Sequence, residues 1–243
     1  MACVWKGMLV FGNGRELYFH LQPKDKIGKK KNWTADTSAD VVNLCVVPGK
    51  NGDQERFLAV AFADLSIRWY QLKENEQGEY FLKKAHTVKA HTGRICSLIC
   101  HKGITYSGSG GTDGSIKSWK APDKLALIEQ PALTGQQPLP PKKENALLLT
   151  FNGHIDDVHS MIIFRDVYLI SASGSDDKTI RVWNITNATC IQAFIAPHNT
   201  IRVLYNYNDE VILSGGDSKD RKLCIWGAEL FRTSVSLAKC SIQ

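Results

Sequence analysis

"SASGSDDKTIRVWN", Ser171 to Asn184, decides how this chain is read. It alternates small and apolar residues, breaks into a polar turn, resumes with β-branched residues and ends in a Trp-Asn pair. Two strands joined by a tight turn produce that pattern. A near copy, "SGSGGTDGSIKSWK", stands at Ser107 to Lys120, and a third version, "SGGDSKDRKLCIWG", at Ser214 to Gly227. Three spellings of one device make the chain an array, and a repeat governs every later inference about the fold.

Each copy carries a histidine upstream. His91, Asp113 and Trp119 form one triplet; His154, Asp177 and Trp183 a second; His198, Asp220 and Trp226 a third. The gaps from His to Asp are 22, 23 and 22 residues, and from Asp to Trp always 6. An apolar residue, Ile95, Val158 or Ile201, opens a short strand after each histidine. Two weaker copies precede these, with Asp64 six before Tyr70 and Asn13 six before Phe19. The aromatic anchors at 19, 70, 119, 183 and 226 are thus 51, 49, 64 and 43 apart, and the long interval contains a Pro-rich insertion over 121–145.

Alternation and punctuation resolve each unit into four short strands, with no convincing helix. In the fourth unit they fall near Val158 to Ile163, Tyr168 to Ser173, Thr179 to Asn184 and Cys190 to Phe194. The expected organisation is one all-β domain over 1–243, in units near 1–38, 39–88, 89–152, 153–196 and 197–243. A repeated four-stranded antiparallel unit of about forty residues is the signature of a β-propeller blade.

His154, then "SASGSDD", then "TIRVW" resembles the WD40 family, and the likeness extends over nearly the whole chain in five units. Asn184, Lys120 and Gly227 replace the aspartate of the family's eponymous dipeptide, and its Gly-His pair is intact only at Gly153-His154. The resemblance implies a hydrogen-bonded relay in each blade: a histidine before the innermost strand, a serine on the second, an aspartate in the turn and a tryptophan on the third. In the fourth unit these are His154, Ser171 or Ser173, Asp177 and Trp183; the two serines share parity, so spacing leaves the choice open. His91, Asp113 and Trp119, and His198, Asp220 and Trp226, take the same places in their own units. Ser, His and Asp together also invite a hydrolase reading. A catalytic set occurs once, however, whereas this one recurs, and no G-x-S-x-G elbow accompanies it.

Closure has two readings: a five-blade ring, or five blades of a larger ring with exposed edges. The turns between second and third strands are longer than the family's usual ones. They offer either neutral loop length or a shared binding rim of Gly110 to Thr112, Ser175 to Asp176 and Ser218 to Lys219.

Composition narrows the function. With 43% apolar and 22% charged residues in 243, the chain is an ordinary soluble type with enough length for a large core. No run of eighteen apolar residues is present, which excludes an apolar spanning helix, and no secretory signal opens the chain. A cytoplasmic or nuclear location is expected. Seven cysteines without a C-x-x-C read as reduced thiols, with Cys96 and Cys100 on one face of a strand. Neither a metal nor a cofactor is expected, and no single-copy set of acid, base and nucleophile points to an enzyme.

Two insertions add binding candidates. Pro138, Pro141 and Lys143 match a P-x-x-P-x-K arrangement, either an SH3 ligand or a stiff spacer. "KDKIGKKKNW", Lys24 to Trp33, is a basic run in a chain of net charge +6. It reads as a solvated loop or as a contact for RNA or anionic lipid.

The function expected is a non-catalytic scaffold or adaptor that binds other proteins in a multiprotein assembly. The alternative is a propeller subunit of a ribonucleoprotein or chromatin-type complex that contacts nucleic acid through residues 24–31. The expected partner surface follows each histidine and precedes each turn aspartate: Arg94, Thr112, Asp156, Asp157, Asp176, Arg202 and Lys219. Arg94 and Arg202 are read as equivalent in their units.

Overall fold

The computed structural model describes residues 2–6, 8–21, 33–48, 55–77, 80–121, 146–217, 221–227 and 241–242. They form five four-stranded antiparallel sheets, each built from four strands consecutive in sequence. The first contains β1 (Ala2–Trp5), β2 (Met8–Asn13), β3 (Glu16–Leu21) and β4 (Trp33–Asp36). The second contains β5 (Val41–Pro48), β6 (Glu55–Phe62), β7 (Ser66–Glu74) and β8 (Tyr80–Lys89). The third contains β9 (Ile95–His101), β10 (Ile104–Ser109), β11 (Ile116–Lys120) and β12 (Leu147–Phe151). The fourth contains β13 (Val158–Phe164), β14 (Tyr168–Ser173), β15 (Thr179–Asn184) and β16 (Cys190–Ile195), and the fifth β17 (Ile201–Asn206), β18 (Val211–Gly216), β19 (Leu223–Gly227) and β20 (Ser241–Ile242).

Local chemistry explains the strands. In β14, "YLISAS" is buried from Leu169 onward, because a second strand is covered on both faces; β16, "CIQAFI", alternates and is largely exposed at the sheet's edge. Tight turns set the register. Between His101 and Ile104, Lys102 and Gly103 both have positive φ, 47° and 78°, the pair of left-handed residues that a two-residue hairpin of matching twist requires.

The core lies between sheets. Four apolar clusters fill the four successive interfaces. Tyr70 faces back to the first sheet, Trp119 to the second, Trp183 to the third and Trp226 to the fourth, so these four aromatic anchors close the joint with the sheet before them. Phe19 departs from the expected equivalence and packs forward, against the second sheet. The strands β1, β5, β9, β13 and β17 also pack in succession.

One irregularity repeats. Partners run Val41 to Phe62 then Asn43 to Ala61, and Ile95 to Ser109 then Ser97 to Gly108. They run Val158 to Ser173 then Ser160 to Ala172, and Ile201 to Gly216 then Val203 to Gly215. Val42, Cys96, His159 and Arg202 are therefore each the extra residue of a β-bulge, at the same end of four first strands. None of the four joins an apolar cluster. A bulge shifts parity and re-aims a side chain. Ile95, Leu98 and Cys100 accordingly pack together between the second and third sheets, while Cys96 does not, so the two cysteines do not share a face.

Candidate functional site: the turn rim and its buried relays

Because β9 begins where β10 ends and β11 starts, the histidine loops and the second-to-third-strand turns lie at one end of the sheets. Beneath that rim run the relays. In the fourth sheet, Trp183 Nε1 donates to Ser171 Oγ at 2.8 Å, and Ser171 Oγ is 2.6 Å from His154 Nε2. His154 Nδ1 is 2.7 Å from Asp177 Oδ2. One proton arrangement satisfies the chain: indole to hydroxyl, hydroxyl to Nε2, and Nδ1–H to carboxylate. The third sheet repeats it, with Trp119 Nε1 to Ser107 Oγ at 2.8 Å, Ser107 Oγ to His91 Nε2 at 2.7 Å and His91 Nδ1 to Asp113 Oδ2 at 3.2 Å. In the fifth, Trp226 Nε1 donates to Ser214 Oγ at 2.8 Å and His198 Nε2 lies 3.0 Å from that oxygen. Asp220 lies outside the described residues.

Ser171, not Ser173, occupies the relay. Ser173 Oγ donates to the Asp157 carbonyl at 3.2 Å instead. The relay serines 107, 171 and 214 are fully buried and each accepts an indole N–H, which leaves no approach for a substrate.

Sequence reasoning missed further members. Both of the described partners of a relay histidine also capture the residue two positions on: Asp113 takes the Ser115 amide and hydroxyl, and Asp177 those of Thr179. Asp64 does the same with Ser66, but an arginine replaces the histidine: Arg68 Nη2 is 2.6 Å from Asp64 Oδ2. The D-x-[ST] spacing was the available signal.

The electrostatics follow from burial. Burial pushes His91 down to about 4, and pushes His154 down as well, so both imidazoles are neutral near pH 7. Burial alone would raise Asp113 and Asp177. Hydrogen bonds from the turn hydroxyls, the imidazoles and backbone amides outweigh it and hold both carboxyls well below their usual range.

On the rim the predicted partner residues divide. Thr112, Asp176 and Arg202 are exposed and Asp156 is half-buried. Arg94 is 71% exposed at its side chain but pairs with Asp157. Asp157 departs from an exposed contact residue: its carboxylate is 6% exposed, receives Gly111 N–H at 2.8 Å and Arg94 Nε at 3.2 Å, and so ties the fourth sheet to the third. Asp156, in the loop entering β13, braces the turn between β14 and β15 by accepting the Asp176 amide at 3.1 Å. Arg202 Nη1 lies 3.0 Å from His159 Nε2. Arg94 and Arg202 are not equivalent: Ile95 and Val158 fall four residues after their histidines, Ile201 only three after His198. Arg202 therefore corresponds to Cys96 and His159, and Arg94 to Asp157.

Lys219, the basic run 24–31 and the Pro138, Pro141 and Lys143 arrangement lie outside the described residues.

Comparison with known proteins agrees with this geometry. Residues 145–184 match the family model "WD domain, G-beta repeat". The chain is 27% identical over 138 residues to a subunit of mouse "Chromatin assembly factor 1", covering 56% of this chain and 24% of that one. It is 22% identical over 179 residues to "Nuclear distribution protein nudF" of Aspergillus niger, covering 63% and 40%. Among solved structures, a chain of "Crystal Structure of Mitotic Checkpoint Complex" superposes with TM-score 0.64 at 16% identity, covering 92% of this chain and 59% of that one. "Structure of U3-55K" gives 0.62 at 18%, covering 94% and 60%. The chain thus spans a quarter to two fifths of the two sequence relatives and about three fifths of the solved chains. Residues 145–184 thus match one WD repeat, and the recurring strands and relays resemble those of WD40-repeat proteins; the likeness to the solved chains is one of fold, all-β and of β-propeller type.

Proposed function

We propose that this chain is a non-catalytic interaction platform that holds other proteins in an assembly through its turn rim. The observation that carries this reading is Arg202. It is an exposed guanidinium on a bulge, and its hydrogen-bond partner is the imidazole of His159, which burial and Arg202 itself keep neutral. Among the described residues, no carboxylate offsets that cation within the bonds Arg202 makes. It is therefore available to an acidic group on a partner, and arginines recur as interface anchors. The neighbouring carboxylates, Asp156 and Asp157, are already engaged in holding turns. Two similarity matches support the reading by their names, one belonging to an assembly factor and one a chain within a checkpoint complex.

The test is affinity capture with tagged wild-type chain and Arg202→Glu, with identification of the proteins retained. Reversal of this one charge is expected to remove the principal partner while the variant stays folded. Retention of the same partners in the same amounts would place the contact elsewhere.

A further inference from the structure

Three groups with metal-binding atoms meet at the bulges of β9 and β13. The thiol of Cys96, the carboxylate of Asp157 and the imidazole of His159 present ligand atoms that all lie within 4.8 Å of one another. Two are the extra residues of corresponding bulges, so the irregularity that withdraws them from the sheet also aims them at a common point. Asp157 reaches the same point from the loop before β13.

From this convergence we propose that Cys96, Asp157 and His159 form a three-ligand site for a soft-to-borderline divalent transition ion, Zn²⁺ in the first instance, with water in the fourth position. Zinc bonds of about 2.3 Å to sulfur and 2.0–2.2 Å to nitrogen and oxygen put tetrahedral ligands roughly 3.4–3.7 Å apart. The cluster needs to contract by about 1 Å to reach them. A thiolate, an imidazole and one carboxylate select zinc over magnesium or calcium, which require a shell of oxygens.

Two further observations fit. A Cβ built on Gly110 would fall onto the Asp157 carboxylate and 2.8 Å from Cys96 Sγ. Gly110 has no positive φ to explain it, so its lack of a side chain serves the close approach around these two ligands. The charges also balance. Without an ion, Arg94⁺ neutralises Asp157⁻. Binding exchanges Arg94 for the metal, and the Cys96 S–H gives its proton to solvent as the sulfur–metal bond forms. The ion's two positive charges then meet one thiolate and one carboxylate. Arg94 is 71% exposed, so its release into water costs little. Arg202, also exposed, likewise cedes its hydrogen bond to His159.

Cobalt is the probe. Co²⁺ added to the reduced chain is expected to give a sulfur-to-cobalt charge-transfer band and tetrahedral visible bands, saturating at a single equivalent and erased by Zn²⁺. Cys96→Ser should abolish the charge-transfer band, and His159→Ala should weaken binding roughly tenfold or more. Cys190→Ser, an exposed cysteine on β16, should leave it intact. Arg94→Ala should bind more tightly than wild type, because it removes the cation that competes with the metal for Asp157; a merely structural role for Arg94 gives no such gain. Wild-type chain also reports without any variant: Zn²⁺ should slow alkylation of Cys96 and not of Cys190, read by peptide mass spectrometry. Absence of the band, its survival in Cys96→Ser, or unprotected Cys96 under saturating Zn²⁺ would overturn the site.

Discussion

His154 Nδ1 lies 2.7 Å from Asp177 Oδ2 across 23 residues of chain, with both side chains almost wholly buried. That bond ties the loop entering β13 to the turn between β14 and β15. Removing the carboxylate by Asp177→Ala leaves the imidazole N–H and the Ile155 amide without their acceptor. The expected cost is about 2–4 kcal/mol. His154→Ala should cost a similar amount, and the double variant clearly less than the two together. Urea unfolding of all four proteins checks this, and strict additivity would mean that the pair does not act as a unit.

Stability should fall on mild acidification. A histidine whose folded pKa lies below its unfolded value binds its proton more readily when unfolded. The stability it provides is complete above about pH 6.5 and is lost as pH drops toward the folded value. With His91 pushed down to about 4, that residue alone removes about 2 kcal/mol between pH 7 and pH 5. His154 acts in the same direction. Asp113 and Asp177, held low, add a second decline below about pH 4. A urea midpoint unchanged from pH 7 to 5 would contradict the buried neutral state.

The two rim arginines should respond differently to charge reversal. Arg94→Glu sets a second carboxylate against buried Asp157 and strands its charge, at about 2–4 kcal/mol. Arg202→Glu meets only an imidazole and should change stability by no more than about 0.5 kcal/mol. Thermal melts of both variants separate the cases.

Two glycines isolate crowding from backbone strain. Gly114 and Gly111 have φ of 55° and 65°. A Cβ at Gly114 would stand 2.6 Å from the His154 carbonyl oxygen, whereas at Gly111 nothing lies within 4 Å. Gly111→Ala should cost about 1 kcal/mol for the left-handed backbone alone. Gly114→Ala should cost at least twice that, since backbone must move as well. Urea unfolding of the two variants beside wild type measures the difference.

The sheets were legible because alternation and turn residues act locally: "YLISAS" and "TIRVWN" mark β14 and β15 to the residue. The His-to-Asp relays were legible from recurrence and family likeness. What escaped depends on contacts distant in sequence or on single-residue slips. Asp157 looks like an ordinary loop acid until Arg94 arrives from 63 residues away. The bulges at Cys96, His159 and Arg202 shift parity where neighbours on either face are equally plausible, so no alternation betrays them. The same slip made Arg94 and Arg202 look equivalent, since the short interval from His198 to Ile201 moves the second arginine by one place. Ser171 and Ser173 face the same way, and only the position of the indole separates them.

Positions 42, 96, 159 and 202 stand outside the pairing ladders and outside every cluster that joins neighbouring sheets. Their identities can therefore drift while the architecture stays the same: valine, cysteine, histidine and arginine already occupy one geometrical slot in a single polypeptide. A library randomised at these four codons would vary recognition on a constant frame, and duplicated genes could diverge in what they capture by the same route.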